Sequence, residues 1–322
     1  MIYNSKILMN ITISLNCDSK CRHCYIKSLD DDSSVDLSID TWKKILLQFK
    51  EKGGEEISIH GGEPLMYEGI GDLLIYASEI GLSTSIITNT WYLNDSLIND
   101  LKKSNTYVLV SLDGPRENYM IFRGEDKLDT VINNIDRMLK AGITVHPIFV
   151  VHKKNISNIS WLVDFALKRD IKTVTLSPMQ PIGRANEQNE FYITPENITS
   201  LINNMEDLND KYNGNTRFVS QSLYRPNDTE RYLNSKEFLL NYNNDICNVK
   251  NDGTIIADFD LPNRDNYVIG SVLDLNKINN EAQIRYVELL NRAYVRGLRE
   301  LKKGNSINFI EVIQNQALDE MT

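Results

Sequence analysis

Short apolar runs alternate with longer amphipathic segments over the first 177 residues of the chain. The short runs have the length of strands, and the segments between them carry apolar residues at helical spacing. One such helix is predicted to begin after Ser38, a residue suited to cap a helix amino terminus. The predicted strands are Ile7–Leu15, Glu56–His60, Ser83–Thr88, Tyr107–Leu112, Thr144–Val151 and Thr173–Ser177.

Six strand–helix units in series predict a parallel sheet with right-handed crossovers, which makes the fold α/β. Six units are too few to close an eight-stranded barrel, so we expect a partial (β/α)6 TIM-like barrel over residues 1–210. Barrels of this type carry their sites at the carboxyl ends of the strands. The segment that follows the first strand is therefore a candidate part of the site.

The alternation of strands and helices stops after about residue 190, and residues 211–322 are expected to form a small α+β appendage. Within it, a tight Asp-Gly turn predicts a twitch-like β-hairpin. No clear pattern assigns residues 211–245. The elements predicted beyond the barrel are a helix from Thr194–Glu196, hairpin strands Ile246–Lys250 and Thr254–Asp258, a strand at Tyr267–Gly270 and a helix over 281–302.

Composition and charge exclude several classes of partner. The 322 residues are 41% hydrophobic and 25% charged, and no apolar run approaches the roughly 20 residues of a membrane span. The net charge is −9, whereas nucleic-acid-binding domains carry a basic excess. An acidic surface instead helps to attract a cationic substrate or redox partner. The polar start, MIYNSKILMNITISLNC, lacks the form of a signal peptide, so we expect a cytoplasmic protein without membrane or nucleic-acid partners.

Three of the four cysteines, Cys17, Cys21 and Cys24, lie within eight residues in the sequence CDSKCRHC. A [4Fe–4S] cluster takes one ligand per iron, normally four cysteines, so three cysteines on one loop leave one iron open. Zinc is the alternative, but zinc sites usually have four ligands in two pairs, and the second pair is missing. His23 would be the fourth zinc ligand, although it lies between two of the cysteines. A disulfide framework is not expected without a secretory signal.

Polar motifs follow the predicted strands at the same edge as the cysteines. Gly61–Gly62 allow unusual backbone angles and a close approach to the backbone, and Glu63 beside them can pair with an ammonium group. Asn89 and Ser111 end the third and fourth strands, where polar groups suit contacts with a ribose or a carboxylate. Arg123 follows in the next loop and can grip a carboxylate with two nitrogens, although such an arginine also forms surface salt bridges.

Together these motifs are similar to those of the radical S-adenosylmethionine (radical SAM) superfamily, in its SPASM/twitch branch. The cysteine triplet with Tyr25 after it resembles the cluster loop of that superfamily, and SLDGP…FRG, Lys154-Asn155 and Pro181–Ala185 resemble its later motifs. The resemblance implies one [4Fe–4S] cluster held by the three cysteines, with SAM chelating the open iron through its amino and carboxylate groups. An electron donor such as flavodoxin or ferredoxin is implied, with cleavage of SAM to a 5′-deoxyadenosyl radical that abstracts a substrate hydrogen. The residues implied to contact SAM are Tyr25, Gly61, Gly62, Glu63, Asn89, Ser111 and Arg123.

The chain departs from that branch in its C-terminal part. Members carry several further cysteines there for auxiliary clusters, whereas this chain has Cys247 alone. One cysteine cannot hold a cube unaided, so we expect a degenerate twitch-like region without a second cluster. The lack of that electron acceptor favours a redox-neutral reaction in which Cys247 returns a hydrogen atom to the substrate radical. The alternative for a lone strand cysteine is a small buried hydrophobic residue.

These features predict an epimerase, similar to radical SAM epimerases that use a lone cysteine as hydrogen donor. Its substrate would be a ribosomal peptide precursor or a small natural product such as an aminoglycoside. A first strand near residue 7 leaves no room for a leader-binding domain, which shifts the expectation toward a small molecule or a peptide bound without one. The alternatives are a peptide maturase that crosslinks or dehydrogenates its substrate, and an Fe–S or zinc protein without catalytic activity.

Overall fold

The computed structural model describes residues 7–26, 35–220, 222–236, 246–262, 264–275 and 277–321. Residues 237–245, part of the stretch without a clear sequence pattern, lie outside the described residues. All six predicted barrel strands are present. The strands are β1 (Leu8–Thr12), β2 (Glu56–His60), β3 (Ser83–Thr88), β4 (Tyr107–Ser111), β5 (Val145–Val151), β6 (Thr173–Pro178), β7 (Arg217–Val219), β8 (Leu223–Tyr224), β9 (Ile246–Val249), β10 (Thr254–Ile256), β11 (Val268–Ser271) and β12 (Ile307–Asn308).

Helices fill the connections between the barrel strands, as predicted. The side chain of Ser38 caps the first helix by accepting a hydrogen bond from the backbone of Thr41. Among the described residues, no helix is both long and apolar enough to span a bilayer. The α-helices are α1 (Ile39–Glu51), α2 (Ile70–Glu79), α3 (Asp95–Lys103), α4 (Arg116–Arg123), α5 (Leu128–Lys140), α6 (Ile159–Leu167), α7 (Pro195–Lys211), α8 (Thr229–Asn234), α9 (Asn280–Lys302) and α10 (Phe309–Asp319).

Ten strands form one sheet in the order β11-β10-β9-β1-β2-β3-β4-β5-β6-β7. Strands β1 to β6 pair in parallel and in sequence order, which confirms the partial α/β barrel. Strand β7 extends the barrel edge and begins after residue 210, the expected end of the barrel domain. The predicted hairpin of β9 and β10 forms, but β9 also pairs in parallel with β1. The appendage is therefore joined to the barrel through the main sheet.

The two faces of the sheet differ in burial. Met9 and Ile11 of β1 and Ile57 of β2 are buried in the main core together with Trp42 of α1, so we call the side facing the helices the outer face. Intervening residues such as Asn10 lie on the inner face, and Asn10 is half-buried. Because side chains alternate along a strand, this inner face is the concave surface of the partial barrel that a ligand can reach.

The register of β9 decides where Cys247 lies. Cys247 pairs with Met9, and the next residue, Asn248, pairs with Asn10. Paired residues of neighbouring strands share a face, so Cys247 lies on the outer face, where it packs half-buried against the main core. Asn248 points to the inner face, where its side chain accepts a hydrogen bond from Asn10 Nδ2 at 3.0 Å. The structure therefore does not bring Cys247 to the concave surface expected of a hydrogen donor.

A second core packs the appendage together. Helices α9 and α10 lie against each other, and Tyr232 of α8 stacks on Tyr294 of α9 with ring centroids 4.9 Å apart. The hydroxyl of Tyr232 donates to the backbone oxygen of Tyr294 at 2.9 Å. The sequence predicted α9 but not α10, whose start is capped by the side chain of Asn308. This cap is the local signal that could have revealed the helix.

Two glycines after β2 hold the segment that carries the cysteines, which we call the cysteine loop (residues 13–26). A Cβ atom on Gly61 would lie 2.4 Å from the backbone oxygen of Ser14, and one on Gly62 would lie 2.1 Å from that of Asn16. The amide of Gly62 donates to Ser14 at 2.8 Å. The space beside both glycines is thus filled by protein backbone, and only glycine permits this approach.

Gly183, after β6, holds the other end of the cysteine loop. Its φ of 58° lies in the left-handed region, and a Cβ atom there would be 2.3 Å from the backbone oxygen of Cys24. The next amide, of Arg184, donates to that oxygen at 3.0 Å. Loops from opposite ends of the barrel therefore fix the position of the cysteines.

We expect Gly183→Ala to reduce the iron bound per chain after anaerobic reconstitution, because the added methyl group collides with Cys24. Gly142→Ala is the matched control, since Gly142 also has a positive φ, 81°, but nothing lies within 4 Å of its added Cβ atom. In both variants alanine must adopt a left-handed backbone conformation, which costs roughly 1–2 kcal/mol, so this cost cancels in the comparison. Equal iron contents in the two variants would contradict the role of the Gly183 contact.

Candidate active site

The predicted polar motifs meet at the carboxyl edge of the barrel strands. The cysteine loop follows β1, Glu63 follows β2, and Asn89 follows β3. Ser111 is the last residue of β4 and lies half-buried on the inner face. Since β1 to β4 are parallel neighbours, these ends lie side by side, which is how a discontinuous set of residues becomes one site.

All four cysteines are free thiols, and Cys21 is the buried member of the triplet. Burial raises the pKa of Cys17 to about 11, which keeps it protonated until a metal binds; a coordinating thiol is deprotonated outright. Across the described ranges, no three His, Cys, Asp or Glu side chains could together hold a single metal ion. A [4Fe–4S] cube places each cysteine on a different iron, so three thiols on one loop fit a cluster without meeting at one point.

Hydrogen-bond donors surround the sulfur of Cys21. The hydroxyl of Ser19 lies 2.8 Å from Cys21 Sγ, and Arg123 Nη1 donates to the same sulfur at 3.5 Å. The backbone amide of Ser19 donates to Cys17 Sγ at 3.4 Å. The loop thus already presents donors to two of the three sulfurs that would carry negative charge in a cluster.

Arg123 is engaged by a buried acid. Its Nε donates to Asp113 Oδ2 at 2.6 Å, and Asp113 Oδ1 accepts the backbone amide of Val150 at 2.8 Å. Burial alone would raise the pKa of Asp113, but the neighbouring Arg123 holds it below its usual range. The charge of Arg123 is therefore matched by Asp113, and its Nη1 points to Cys21. The contact of Arg123 with the SAM carboxylate stays a prediction.

His23 lies beside the same acid and carries no charge at neutral pH. Burial lowers its pKa to about 4, although Asp113 opposes that shift. Its Nε2 is 3.6 Å from Asp113 Oδ2, and its ring lies 5.8 Å from that of Phe122. The side chain thus packs against the Asp113 pocket, an arrangement that does not favour it as the fourth ligand of a zinc site.

Glu63 is a fully buried carboxyl group with three donors. It accepts hydrogen bonds from the amide of Leu65 at 3.0 Å, the hydroxyl of Thr88 at 2.6 Å and the amide of Asn89 at 2.8 Å. Burial raises its pKa to about 7, against the opposing effect of these donors. Oε2 accepts only one of the three bonds, which leaves lone-pair capacity for a cation such as an ammonium group.

Asn89 serves the site chiefly through its backbone. Its side-chain oxygen accepts the amide of Trp91 at 2.8 Å, which closes a local turn and aims the Asn89 amide at Glu63. The structure therefore brings Asn89 together with Glu63.

Tyr25 links the cysteine loop to the appendage. Its hydroxyl lies 3.2 Å from His60 Nδ1, and its ring packs in a small cluster with Ile256 and Phe259. Phe259 meets the ring of His60 edge-on at 4.8 Å. The loop after β10 thus covers one side of the cysteine loop.

Two acidic side chains of the appendage, Asp258 and Asp260, lie next to this aromatic contact. The hydroxyl of Tyr286 donates to Asp258 Oδ2 at 2.9 Å, and the amide of Asp260 donates to Asp258 Oδ1 at 2.8 Å. Burial and the nearby Asp258 raise the pKa of Asp260 to about 7, while Arg264 opposes that shift. Gln314 of α10 donates to the backbone oxygen of Asp260 at 2.9 Å. These groups form a polar wall beside the barrel mouth.

Sequence reasoning missed Ser19 and Asp113 as partners of the cysteines and of Arg123. Asp113 follows the end of β4 and precedes Arg123 by ten positions in the same connection. A buried arginine requires a counter-charge, and that requirement is the signal that could have paired the two.

Comparisons with known proteins bear on the fold and on the family that the sequence resembles. A sequence model of the Radical SAM superfamily matches residues 11–166. The Fe-coproporphyrin III synthase of Methanosarcina barkeri is 30% identical over 173 residues, which are 53% of this chain and 43% of that protein. The chain thus spans less than half the length of that relative.

Two solved structures are similar over most of the chain. Streptococcus suis SuiB bound to precursor peptide SuiA gives a TM-score of 0.68 at 20% identity, covering 88% of this chain and 64% of SuiB. Native anSMEcpe with bound AdoMet and Kp18Cys peptide gives 0.70 at 16% identity, covering 97% of this chain and 95% of that one. At these identities the similarity shows a shared fold.

The matched region, residues 11–166, contains the three cysteines, Glu63 and the strand ends around them. The cofactors of the matching family are a [4Fe–4S] cluster and SAM, and the donor set at the carboxyl edge fits both. Residues 11–166 of this chain therefore form a radical SAM domain.

Proposed function

We propose that this protein is a radical SAM enzyme that removes a hydrogen atom from a C–H bond of a peptide substrate. The observation that carries the proposal is the cysteine loop held beside buried Glu63 at one edge of a parallel sheet. When bound, the cluster and SAM supply a 5′-deoxyadenosyl radical for this step. Cys17, Cys21 and Cys24 would hold the cluster, and Glu63 would accept the ammonium group of SAM through Oε2.

The remaining residues of the site would orient and enclose the ligands. Ser111, half-exposed on the inner face, is suited to a hydroxyl or carboxylate of SAM. Tyr25 and Phe259 would exclude water from one side of the loop, because both belong to an apolar cluster there. An electron donor such as flavodoxin or ferredoxin is part of the proposal, since reductive cleavage of SAM consumes one electron.

A peptide is the substrate class favoured by two observations. SuiB with precursor peptide SuiA and anSMEcpe with a bound peptide share this fold over most of the chain. The inner face is partly open and carries polar side chains such as Asn10 and Ser58, which can pair with peptide groups. A cationic small natural product such as an aminoglycoside is the second substrate class, supported by the net charge of −9 and the acids Asp258 and Asp260.

The finer proposal is a redox-neutral epimerisation in which Cys247 returns a hydrogen atom. Burial raises the pKa of Cys247 to about 11, so the thiol carries the hydrogen at neutral pH. Its pairing with Met9 on the outer face counts against this role, because the donor must reach the substrate on the inner face. That observation favours the second candidate, a maturase that crosslinks or dehydrogenates its peptide and returns the extra electron to the first cluster.

We expect the reconstituted, reduced protein to cleave SAM to 5′-deoxyadenosine without any substrate, and the Cys17/Cys21/Cys24 triple alanine variant to form none. The reason is that the three thiolates are the proposed protein ligands of the cluster. Chromatography of the products, with iron measured per chain, provides the check. A protein that binds iron yet leaves SAM intact would overturn the proposed enzyme activity.

We expect Glu63→Gln to weaken SAM binding and to remove its pH dependence. For the wild type, affinity should fall as the pH drops below about 7, because protonation of Glu63 abolishes its charge pairing with the ammonium group. Below that pKa the loss approaches about tenfold per pH unit. Equilibrium binding of SAM at pH 6 and pH 8 measures both effects. Glu196→Gln is the control, because it makes the same substitution at an exposed position. An affinity that is unchanged in Glu63→Gln would refute the assignment.

We expect Cys247→Ala to leave SAM cleavage intact and, because the thiol lies on the outer face, to leave substrate turnover intact as well. Candidate peptides and aminoglycosides would be incubated in D₂O and the products analysed by mass spectrometry. If the wild type incorporates one deuterium at the product carbon and Cys247→Ala does not, the result would establish the epimerase instead. A product two mass units lighter than the substrate would support the dehydrogenating or crosslinking maturase.

A further inference from the structure

The sulfur of Cys21 has a hydrogen-bond environment built from two separate parts of the chain. Ser19, within the cysteine loop, places its hydroxyl 2.8 Å from the sulfur. Arg123, at the end of α4, donates to it at 3.5 Å from a position that is 8% exposed. A buried cation aimed at a cluster ligand is costly unless it is paired, and Asp113 provides that pairing.

We propose that Arg123 is a positioning residue that raises the reduction potential of the cluster by donating a hydrogen bond to Cys21 Sγ, with Ser19 as the second donor. Hydrogen bonds to cluster sulfurs are one of the factors that set the potential of an iron–sulfur cluster. A donor of positive charge favours the reduced state further, because that state carries one more negative charge. The inference rests on the cluster of the proposed function and on neither the substrate nor the epimerase assignment.

The end of helix α4 that carries Arg123 is held against the cysteine loop by backbone contacts. The amide of Arg22 donates to the backbone oxygen of Phe122 at 2.8 Å, and the hydroxyl of Ser19 lies 3.3 Å from the backbone oxygen of Arg123. Helix α4 ends at Gly124, whose φ of 79° lets the chain turn away directly after Arg123. The end of the helix is thus fastened to the cysteine loop, and the donor keeps its distance from the sulfur.

Ser19 has a single hydroxyl hydrogen and two acceptors within reach, Cys21 Sγ and the backbone oxygen of Arg123. A thiolate is the stronger acceptor because hydrogen bonds to ionised groups are roughly twice as strong as neutral ones. In the cluster-bound protein the hydrogen would therefore point to the sulfur. Ser19 and Arg123 then act on the same sulfur in the same direction.

Asp113 acts in the opposite direction. Its carboxylate lies 2.6 Å from Arg123 Nε and offsets part of the positive charge that Cys21 experiences. Replacing it by asparagine keeps a polar side chain of similar shape while removing the negative charge. The network therefore predicts opposite signs for changes at Asp113 and at the two donors.

The test is a redox titration of the reconstituted 322-residue protein in the absence of SAM, monitored by electron paramagnetic resonance. We expect Arg123→Gln to lower the ratio of reduced to oxidised cluster about tenfold at a fixed applied potential. This corresponds to a reduction potential that is lower by about 59 mV for a one-electron couple. Ser19→Ala should lower the ratio by less, and Asp113→Asn should raise it. Arg169→Gln is the matched control, because Arg169 also pairs with an aspartate, Asp136 of α5. Arg169 lies in the turn before β6, at the amino edge of the strands and away from the cysteine loop.

The outcomes separate this inference from its alternatives. Intact clusters with the wild-type potential in all three variants would overturn it and leave the network a purely structural role. A wild-type potential combined with weaker SAM binding in Arg123→Gln would establish the direct contact with SAM instead. If Arg123→Gln cannot hold a cluster, the other two variants test the inference. A lower reduction potential in Ser19→Ala together with a higher one in Asp113→Asn would support it, and unchanged potentials would overturn it. A wild-type protein that binds no cluster would refute the proposed function itself.

Discussion

Close contact between backbones, made possible by glycine, is the constraint on which the site depends. The turn after β2 approaches the cysteine loop through Gly61 and Gly62, and the turn after β6 approaches it through Gly183. At each position a methyl group would lie within 2.4 Å of a loop carbonyl oxygen. Packing at this distance leaves little freedom to a loop that has no regular secondary structure over Cys17 and Cys21. The thiols are thereby positioned before any iron binds, and part of the ordering entropy is already spent in folding.

Buried charge determines the chemistry that this loop can support. Glu63 and Arg123 are both buried, but their environments differ. Arg123 is neutralised by Asp113, which makes it a fixed donor to the cysteine loop. Glu63 has hydrogen-bond donors but forms no ion pair with a cationic side chain among the described residues, so burial raises its pKa to about 7. An arriving ammonium group would supply the missing counter-charge, and the structure is therefore complementary to a cation at Glu63 and to an anionic cluster near Arg123.

The sequence predicts the barrel well because hydrophobic periodicity reports strands and helices directly. The strand ends then bring Glu63 close to the cysteine loop without further assumptions. Two features are beyond such reasoning. The parallel pairing of β9 with β1 joins segments more than 200 residues apart, and its register, which decides the face of Cys247, follows from tertiary packing. The partner of Arg123 was also ambiguous, because a guanidinium binds a protein carboxylate as well as a ligand carboxylate.

The attachment of the appendage indicates what it contributes to the site. Because β9 is hydrogen-bonded to β1, the loop after β10 is held in fixed relation to the cysteine loop, and Phe259 reaches the Tyr25 cluster. The same part of the appendage presents the polar wall that includes Asp258. Cys247, the one cysteine of residues 211–322, packs against the outer core. Under the proposed function, the appendage would therefore enclose and help to recognise a substrate, and the redox chemistry would rest on the loop after β1.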